Sequence, residues 1–156
     1  MTLDELRHDP KLTPATFARH FSSFKYARHD EVQPPEVFLE TQSGDCDDYA
    51  TLAACVLREK GFTTRLIAIR LPGDTHVVCY VEETGSYLDY NTRGYVVKTV
   101  PSSGKIEEIA RKVARSFDSR WISAIEFDYR DGLKWLVKTA TPHGAAPLLA
   151  AMAIRH

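Results

Sequence analysis

The chain has 156 residues, of which 44% are hydrophobic and 26% are charged, and this composition is typical of one globular domain. Its formal net charge of −1 gives no electrostatic reason to expect nucleic acid or an anionic membrane as a partner. Three cysteines cannot form a closed disulfide framework, and no Cys-x-x-Cys or His-x-x-x-His spacing indicates a zinc site.

The two ends of the chain predict its organisation and location. The N-terminus is charged and lacks the apolar region of a signal peptide, so we expect a cytoplasmic protein. The longest apolar stretch, Ala145 to Ile154, is shorter than the ~20 residues needed to span a bilayer, so we expect no membrane partner. We predict one domain over residues 1–140, with a helical N-terminal segment, followed by an apolar tail over residues 141–156.

Before the first cysteine the pattern predicts little regular structure. Thr13-Pro14 is typical of a helix start, because Thr is a good N-cap and Pro suits the first helical position. The polar segment from Arg28 to Pro35 ends in two prolines and predicts an extended connector. Val37 to Gln42 is expected to be a short approach segment.

The strongest helical pattern lies between Gly44 and Gly61. Its apolar residues follow the spacing i, i+3, i+4, i+7 and i+8, which gives one buried stripe. That stripe consists of Tyr49, Leu52, Ala53, Val56 and Leu57. Three aspartates crowd the start of this helix, where negative charge is favourable, and Gly61 is placed to end it.

A meander of strands is predicted next, at Thr63–Arg70, Thr75–Glu82 and Ser86–Asn91, with Tyr95–Val100 as a candidate fourth. Turns are expected at Pro72-Gly73 and at Thr84-Gly85. Alternation along the second strand sets its histidine and its cysteine on opposite faces.

The last part of the chain predicts a helix and further β-structure. Ser102-Ser103 is expected to cap a helix whose buried stripe begins at Ile106. Alternation from Trp121 to Tyr129 favours a strand, and Leu133 to Val137 is a short apolar segment. Because helices lie before and after a run of antiparallel strands, the predicted fold class is α+β.

Cys46 is the candidate for nucleophilic chemistry, because it lies at or near the first turn of the strongest helix. The thiolate is the attacking form of cysteine, and the positive end of the helix dipole favours it. The neighbouring aspartates oppose it. A nearby imidazolium is therefore needed, and we assign that task to His76.

The hairpin after His76 brings an acid into range. A two-residue loop, at Thr84-Gly85 or Glu83-Thr84, places His76 and Asp89 on one face of the sheet, whereas a three-residue loop places them on opposite faces. Asn91 shares that face in both two-residue registers and lies directly across from His76 in one. Either residue could orient the imidazole, and we favour Asp89.

The other functional groups are less constrained by the pattern. An oxyanion would be held by the backbone N–H of Cys46 and one side-chain donor, for which Gln42 is a candidate. Cys55, on the same helix, and Cys79, on the face away from His76, are expected to be core thiols.

The run Gly44-Asp45-Cys46-Asp47-Asp48-Tyr49-Ala50 resembles the nucleophile motif of the transglutaminase-like cysteine hydrolase superfamily, a branch of the papain-like fold. Within that superfamily it is similar to the bacterial transglutaminase-like cysteine proteinases, over Gln42 to Arg93. The resemblance implies a nucleophile helix packed on an antiparallel sheet, with Cys46 as nucleophile, His76 as general base and acid, and Asp89 as the orienting acid. The chain departs from that bacterial group in two respects. No export signal is visible, and the hairpin between His76 and Asp89 is shorter than in many relatives.

Some proteinases of that bacterial group bind calcium through acids beside the cysteine. The resemblance therefore makes Asp45, Asp47 and Asp48 candidate ligands, and oxygen ligands suit Ca²⁺. The competing interpretation is that these acids stabilise the helix N-terminus, and we favour it. We accordingly expect no obligatory cofactor.

Two functions from different classes remain open. The first is cysteine-dependent acyl transfer on an amide of a protein or peptide, with hydrolysis through a thioester. The second is a non-catalytic binding or assembly module, as in a phage or mobile-element complex, with the tail over residues 141–156 as a docking segment. An enzyme should bring Cys46 and His76 together beside an open cleft.

Overall fold

The computed structural model describes residues 1–91 and 98–143. Five helices lie in these ranges: α1 Leu3–His8, α2 Pro14–Arg19, α3 Pro35–Thr41, α4 Cys46–Glu59 and α5 Ile106–Ser116. Eight strands lie in the same ranges: β1 Lys25–Tyr26, β2 Ser43–Gly44, β3 Thr64–Leu71, β4 Asp74–Val81, β5 Ser86–Leu88, β6 Thr99–Pro101, β7 Ser123–Arg130 and β8 Leu133–Ala140.

The main sheet has six strands in the order β6-β5-β4-β3-β7-β8, and every neighbouring pair is antiparallel. A separate parallel pair joins β1 to β2. The predicted α+β class, with a nucleophile helix on an antiparallel sheet, is confirmed.

The sheet separates two apolar clusters, because successive strand residues point to opposite faces. Helix α4 lies on the face that carries Leu66 and Val77, and α5 lies on the face that carries Ile67 and Val78. Both faces of the central strands β3 and β4 are therefore buried, which explains why they read as nearly continuous apolar runs.

Aromatic rings fix the N-terminal helices against α4. The Phe21 ring lies 4.9 Å from that of Phe17, 5.0 Å from that of Tyr49 and 5.7 Å from that of Phe38, measured between centroids. All four side chains are fully buried. This cluster ties residues of α2 and α3 to the first turns of α4.

Helix α4 begins where the sequence predicted. Asp45 is its N-cap, Cys46 is its first residue, and Asp45 and Asp48 form a reciprocal capping box. The expectation that Cys55 is a core thiol is wrong, because its side chain is exposed. Cys55 falls outside the apolar stripe, so it faces solvent, whereas Cys79 is buried as expected.

Several boundaries differ from the predicted ones. Helix α1 was not predicted, and α3 forms where a connector and an approach segment were expected. Helix α5 has Lys105 as its N-cap, not Ser102 or Ser103, although Ser103 remains bonded to Glu108. Helices α3 and α5 lack a side-chain cap hydrogen bond, so the local signals for their start are weak. Helix α1 has only six residues, but the capping box of Thr2 and Glu5 is a local signal of its start.

The end of the chain lies partly outside the described residues. Of the candidate strand Tyr95–Val100, residues 95–97 are outside, and β6 begins at Thr99. Of the predicted tail, residues 144–156 are outside. No helix in the described ranges is long and apolar enough to cross a membrane.

Gly44 lies at a close approach beside the start of α4. A methyl group on its Cα would lie 2.6 Å from Asp48 Oδ2, 2.7 Å from Phe38 Cδ1 and 2.8 Å from Gln33 Nε2. These partners are buried or bonded to one another, so they cannot easily move apart.

We expect Gly44→Ala to destabilise the protein by about 1–3 kcal/mol, because overpacking a filled site forces its neighbours to shift. The free energy of unfolding from urea denaturation measures this. Ser43→Ala is the matched control, since it adds no atom, and it should stay within about 0.5 kcal/mol of wild type. Equal stability of the two variants would contradict the close approach.

Candidate active site

The cap of α4 presents the backbone of Cys46. Asp45 Oδ1 accepts hydrogen bonds from the N–H groups of Asp47 and Asp48, at 3.1 and 3.3 Å. The first N–H groups of a helix have no partner within it. In residues 1–91 and 98–143 no group accepts from the N–H of Cys46, so this donor is left beside the sulfur.

The β4–β5 hairpin sets the histidine and the acid on one face. Cys79 pairs with Leu88, and Gly85 N donates to Glu82 O at 3.2 Å, which makes Glu83-Thr84 the two-residue loop. This is one of the two registers that the sequence allowed. Asp89 follows β5 directly, on the same face as His76.

His76 and Asp89 form a buried pair. The ring Nε2 of His76 lies 2.5 Å from Asp89 Oδ1, and only 2% and 1% of these residues are exposed. The second oxygen, Oδ2, has no hydrogen-bond partner among the residues described. A carboxylate buried with so few donors requires a cationic neighbour, and His76 is in position to be that cation.

The imidazole also interacts electrostatically with the candidate nucleophile. Burial disfavours the charged ring, but the charges of Asp89 and Cys46 and a hydrogen bond to each raise the pKa of His76 well above its usual value. The structure therefore brings Cys46, His76 and Asp89 together in sequence-predicted order.

The two remaining sequence candidates occupy different positions. Asn91 is buried, and continuing the β4–β5 register sets it across from His76, but Asp89 makes the close contact with the ring. Gln42 is exposed at the left-handed C-cap of α3, where its backbone oxygen accepts from Lys25 N. It does not line the cavity beside Cys46.

A cavity of about 390 Å³ opens beside the sulfur. Its lining is mostly polar and consists of Tyr26, Arg28, His29, Asp30, Asp45, Cys46, Asp47, Arg70, Leu71, Gly73, Asp74 and Thr75. The walls come from the segment after β1 and from the β3–β4 turn, and the ion pair of Arg28 with Asp74, at 2.6 Å, joins them. Cys46 is only 5% exposed, so its sulfur lies deep in this cavity.

Tyr26 is a site residue that sequence reasoning missed. Tyr26 and Cys46 line the same cavity, and the phenol interacts with the sulfur there. Burial and the charge and hydrogen bond of Cys46 raise the pKa of Tyr26, so the phenol stays protonated. No local signal marks it, because it lies far upstream of the cysteine in a two-residue strand.

The acids beside Cys46 are largely satisfied from within the chain. Asp45 Oδ2 accepts from His29 N, Asp48 Oδ1 accepts from Gln33 N, and Asp48 Oδ2 accepts from Gln33 Nε2 and Asp45 N. These bonds fold residues 29–33 over the helix start. They also compensate the negative charges of Asp45 and Asp48 with N–H donors.

Burial dominates the electrostatics of Asp47, as it does those of Asp45, whose pKa it also raises. Its side chain is 6% exposed, and burial, with the charges of Asp45 and Asp48, raises the pKa of Asp47 to about 6. The positive charges of Lys134 and His76 oppose this rise. As the pH falls toward about 6, Asp47 becomes protonated, and the negative charge beside the sulfur decreases.

The oxygens of Asp45 and Asp48 are engaged within the chain and would have to be released to bind calcium. Ca²⁺ takes six to eight oxygen ligands, but every oxygen of Asp45 and Asp48 already accepts an N–H hydrogen bond. Nor do the described residues contain a group of three or more His, Cys, Asp or Glu side chains that could hold a metal ion.

Solved structures similar to this chain share its fold. LapG of Legionella pneumophila, a bacterial transglutaminase-like cysteine protease, matches in its calcium-bound form with a TM-score of 0.53 and 18% identity, over 97% of this chain and 80% of that one. Its EGTA-treated form matches with a TM-score of 0.52 and 17% identity, over 90% of this chain and 77% of that one. No curated protein matches the sequence.

The family model described as the transglutaminase-like superfamily matches residues 13–136. That range contains the helix start, the hairpin and all the strands between them, and so covers most of the described sheet. The chain therefore belongs to the transglutaminase-like superfamily, as its nucleophile motif predicted.

Proposed function

We propose that the chain is a cysteine-dependent acyl-transfer enzyme that hydrolyses a peptide or side-chain amide. The observation that carries this proposal is the position of His76, which is bonded to the Asp89 carboxylate and close enough to the Cys46 sulfur to interact with it. Membership of the transglutaminase-like superfamily supports a cysteine-based peptidase. A scaffold would not need a buried, charged imidazole at this point.

In the proposed reaction the sulfur of Cys46 attacks the amide carbonyl carbon, and the thiol proton resides on His76. Because Nε2 of His76 is bonded to Asp89, Nδ1 is the nitrogen that remains for the sulfur and the leaving group. The C–N bond breaks as His76 protonates the departing amine, which leaves a thioester on Cys46.

Water then completes the hydrolysis. His76 accepts a proton from water, the resulting hydroxide attacks the thioester, and the C–S bond breaks to return Cys46 and release the acid. Asp89 keeps the ring oriented through both steps and stabilises its charged form. The N–H of Cys46 is placed at the helix start to donate to the developing oxyanion.

The polar cavity favours a protein or peptide chain over an apolar ligand as substrate. Its lining carries both signs of charge: Arg28 and Arg70 are positive, and Asp30 and Asp74 are negative. A peptide backbone passing Cys46 would find hydrogen-bonding groups along both walls. The alternative, a non-catalytic binding or assembly module with the same fold, stays a prediction.

Calcium is a possible ligand by comparison, because one similar LapG structure is calcium-bound. In this chain Gln33 and backbone N–H groups take the carboxylate oxygens that a cation would need. We therefore propose that the acids here act as a cap and an anchor for residues 29–33, and that activity needs no calcium.

The central test is site-selective alkylation. In a Cys55→Ser background, which removes the exposed competitor, iodoacetamide at neutral pH should label Cys46 and spare Cys79, a buried thiol whose pKa burial raises to about 12. Peptide mapping by mass spectrometry identifies the site. Adding His76→Ala should slow the labelling at least tenfold.

The proposal fails if Cys46 stays unlabelled in the folded protein, or if it reacts no faster than cysteine in a denatured control. Labelling at Cys79 instead would show that the assignment of Cys46 as the nucleophile is wrong.

The third member of the triad is tested by comparing two substitutions. Asp89→Asn should lower the release of nitrophenolate from p-nitrophenyl acetate by about 10²–10⁴-fold, because the imidazolium loses the carboxylate that is bonded to its ring. Asn91→Ala should lower it by less than about tenfold. Circular dichroism confirms that both variants fold, and the reverse order of effects would make Asn91 the orienting residue.

The calcium question is tested by thermal unfolding. We expect the melting temperature to change by less than about 1 °C between EGTA and millimolar CaCl₂, since a ligand stabilises only the state that binds it. MgCl₂ at equal ionic strength controls for salt. A rise of several degrees that is specific to CaCl₂ would show that a cation displaces the N–H donors.

A further inference from the structure

Tyr26 is held beside Cys46 by backbone pairing. In the parallel β1–β2 pair Tyr26 lies opposite Gly44, and the flanking bonds run from Lys25 N to Gln42 O at 2.9 Å and from Ala27 N to Gly44 O at 2.8 Å. Gly44 precedes the N-cap of α4. The backbone that carries the phenol is therefore bonded directly to the backbone that carries the nucleophile.

Ring stacking fixes the side chain as well. The Tyr26 ring stacks on Tyr90 with centroids 5.5 Å apart and planes at 25°, and Tyr90 stacks on Tyr49 at 5.2 Å and 20°. Tyr49 lies fully buried in α4, and Tyr90 follows Asp89. One aromatic column thus connects the phenol to the helix and to the strand of the triad acid.

Tyr26 and Cys46 line the same cavity, and the phenol lies close enough to the sulfur to interact with it. Once that sulfur is bonded to a carbonyl carbon, it is a much weaker acceptor, and the adjacent carbonyl oxygen gains negative charge. That oxygen is joined to the sulfur through the carbonyl carbon, two bonds away, so a donor that borders the sulfur is in position to reach it. Stabilising developing charge with a preorganised donor is the most effective contribution a side chain can make here.

We propose that Tyr26 is a catalytic residue whose hydroxyl, together with the N–H of Cys46, donates to the oxyanion of the tetrahedral intermediate. This assignment rests on the proposed acyl-transfer function and deepens it. Tyr26 takes the role for which the sequence suggested Gln42, whose side chain is exposed and outside the cavity lining.

The step balances without another reactant. The Cys46 sulfur forms a bond to the carbonyl carbon, and the π electrons of the C=O bond move to oxygen. That oxygen accepts hydrogen bonds from Tyr26 and the Cys46 N–H, without proton transfer from either. The electrons return as the bond to the leaving group breaks, and the Tyr26 hydroxyl remains a phenol.

Two reactions of the same sulfur separate this role from a merely structural one. Acylation by p-nitrophenyl acetate passes through an oxyanion, whereas alkylation by iodoacetamide displaces iodide at a saturated carbon and forms none. Tyr26→Phe keeps the stacked ring and removes only the hydroxyl. Tyr90→Phe is the matched control, because it removes a hydroxyl from the same column, at a ring that does not line the cavity.

We expect Tyr26→Phe to slow acylation of Cys46 on the order of 10²-fold, seen as the nitrophenolate burst, because one oxyanion donor is lost. The rate of alkylation and its pH profile should change less than about threefold. Tyr90→Phe should leave both reactions near wild type. Assays in the Cys55→Ser background restrict the signal to the site.

Other outcomes overturn the assignment. Equal slowing of both reactions, or a displaced pH profile for alkylation, would make Tyr26 a group that only positions the thiol. No effect on acylation would exclude it as a donor. If wild-type Cys46 alkylates but is never acylated, or reacts with neither reagent, the proposed function itself fails, and that result is distinct from the failure of Tyr26→Phe alone.

Discussion

The first turn of α4 is held by two buried carboxylates, and the arrangement of the site depends on how their oxygens are satisfied. Asp45 and Asp48 each accept three N–H hydrogen bonds, from the helix start, from His29 and from Gln33. Each such bond to a charged acceptor stabilises by roughly 1.5–3 kcal/mol. The same bonds cap α4 directly before Cys46 and fold residues 29–33 over the helix start.

These hydrogen bonds reduce the repulsion between the aspartates and a thiolate at Cys46. Three aspartates beside a thiolate would repel it, but two of them are compensated by N–H dipoles, and burial moves the third toward protonation. His76 supplies positive charge beside the sulfur and is held by Asp89 at 2.5 Å, with both side chains buried. Because His76 and Asp89 are buried, water screens their charges little, and the interactions of His76 with Asp89 and with Cys46 are stronger than at the surface.

Local rules predicted the parts of the site that depend on local geometry. The capping aspartate, the helix period and the parity of a two-residue hairpin placed Cys46, His76 and Asp89 correctly relative to their own elements. They failed where a residue lacked such constraint. Cys55 is exposed because it lies off the apolar stripe, a conclusion that the same helical period allowed, and Gln42 ends a helix whose path the pattern did not show.

The sequence by itself determined that a cysteine begins a strongly amphipathic helix and that a histidine and an acid share a face of the following hairpin. These relations follow from periods of 3.6 and 2, which act over a few residues. Only the tertiary structure decided which groups surround that cysteine. Tyr26 and Gln33 reach it through a parallel strand pair and a folded segment, and such contacts depend on the path of the intervening chain, which no local period encodes.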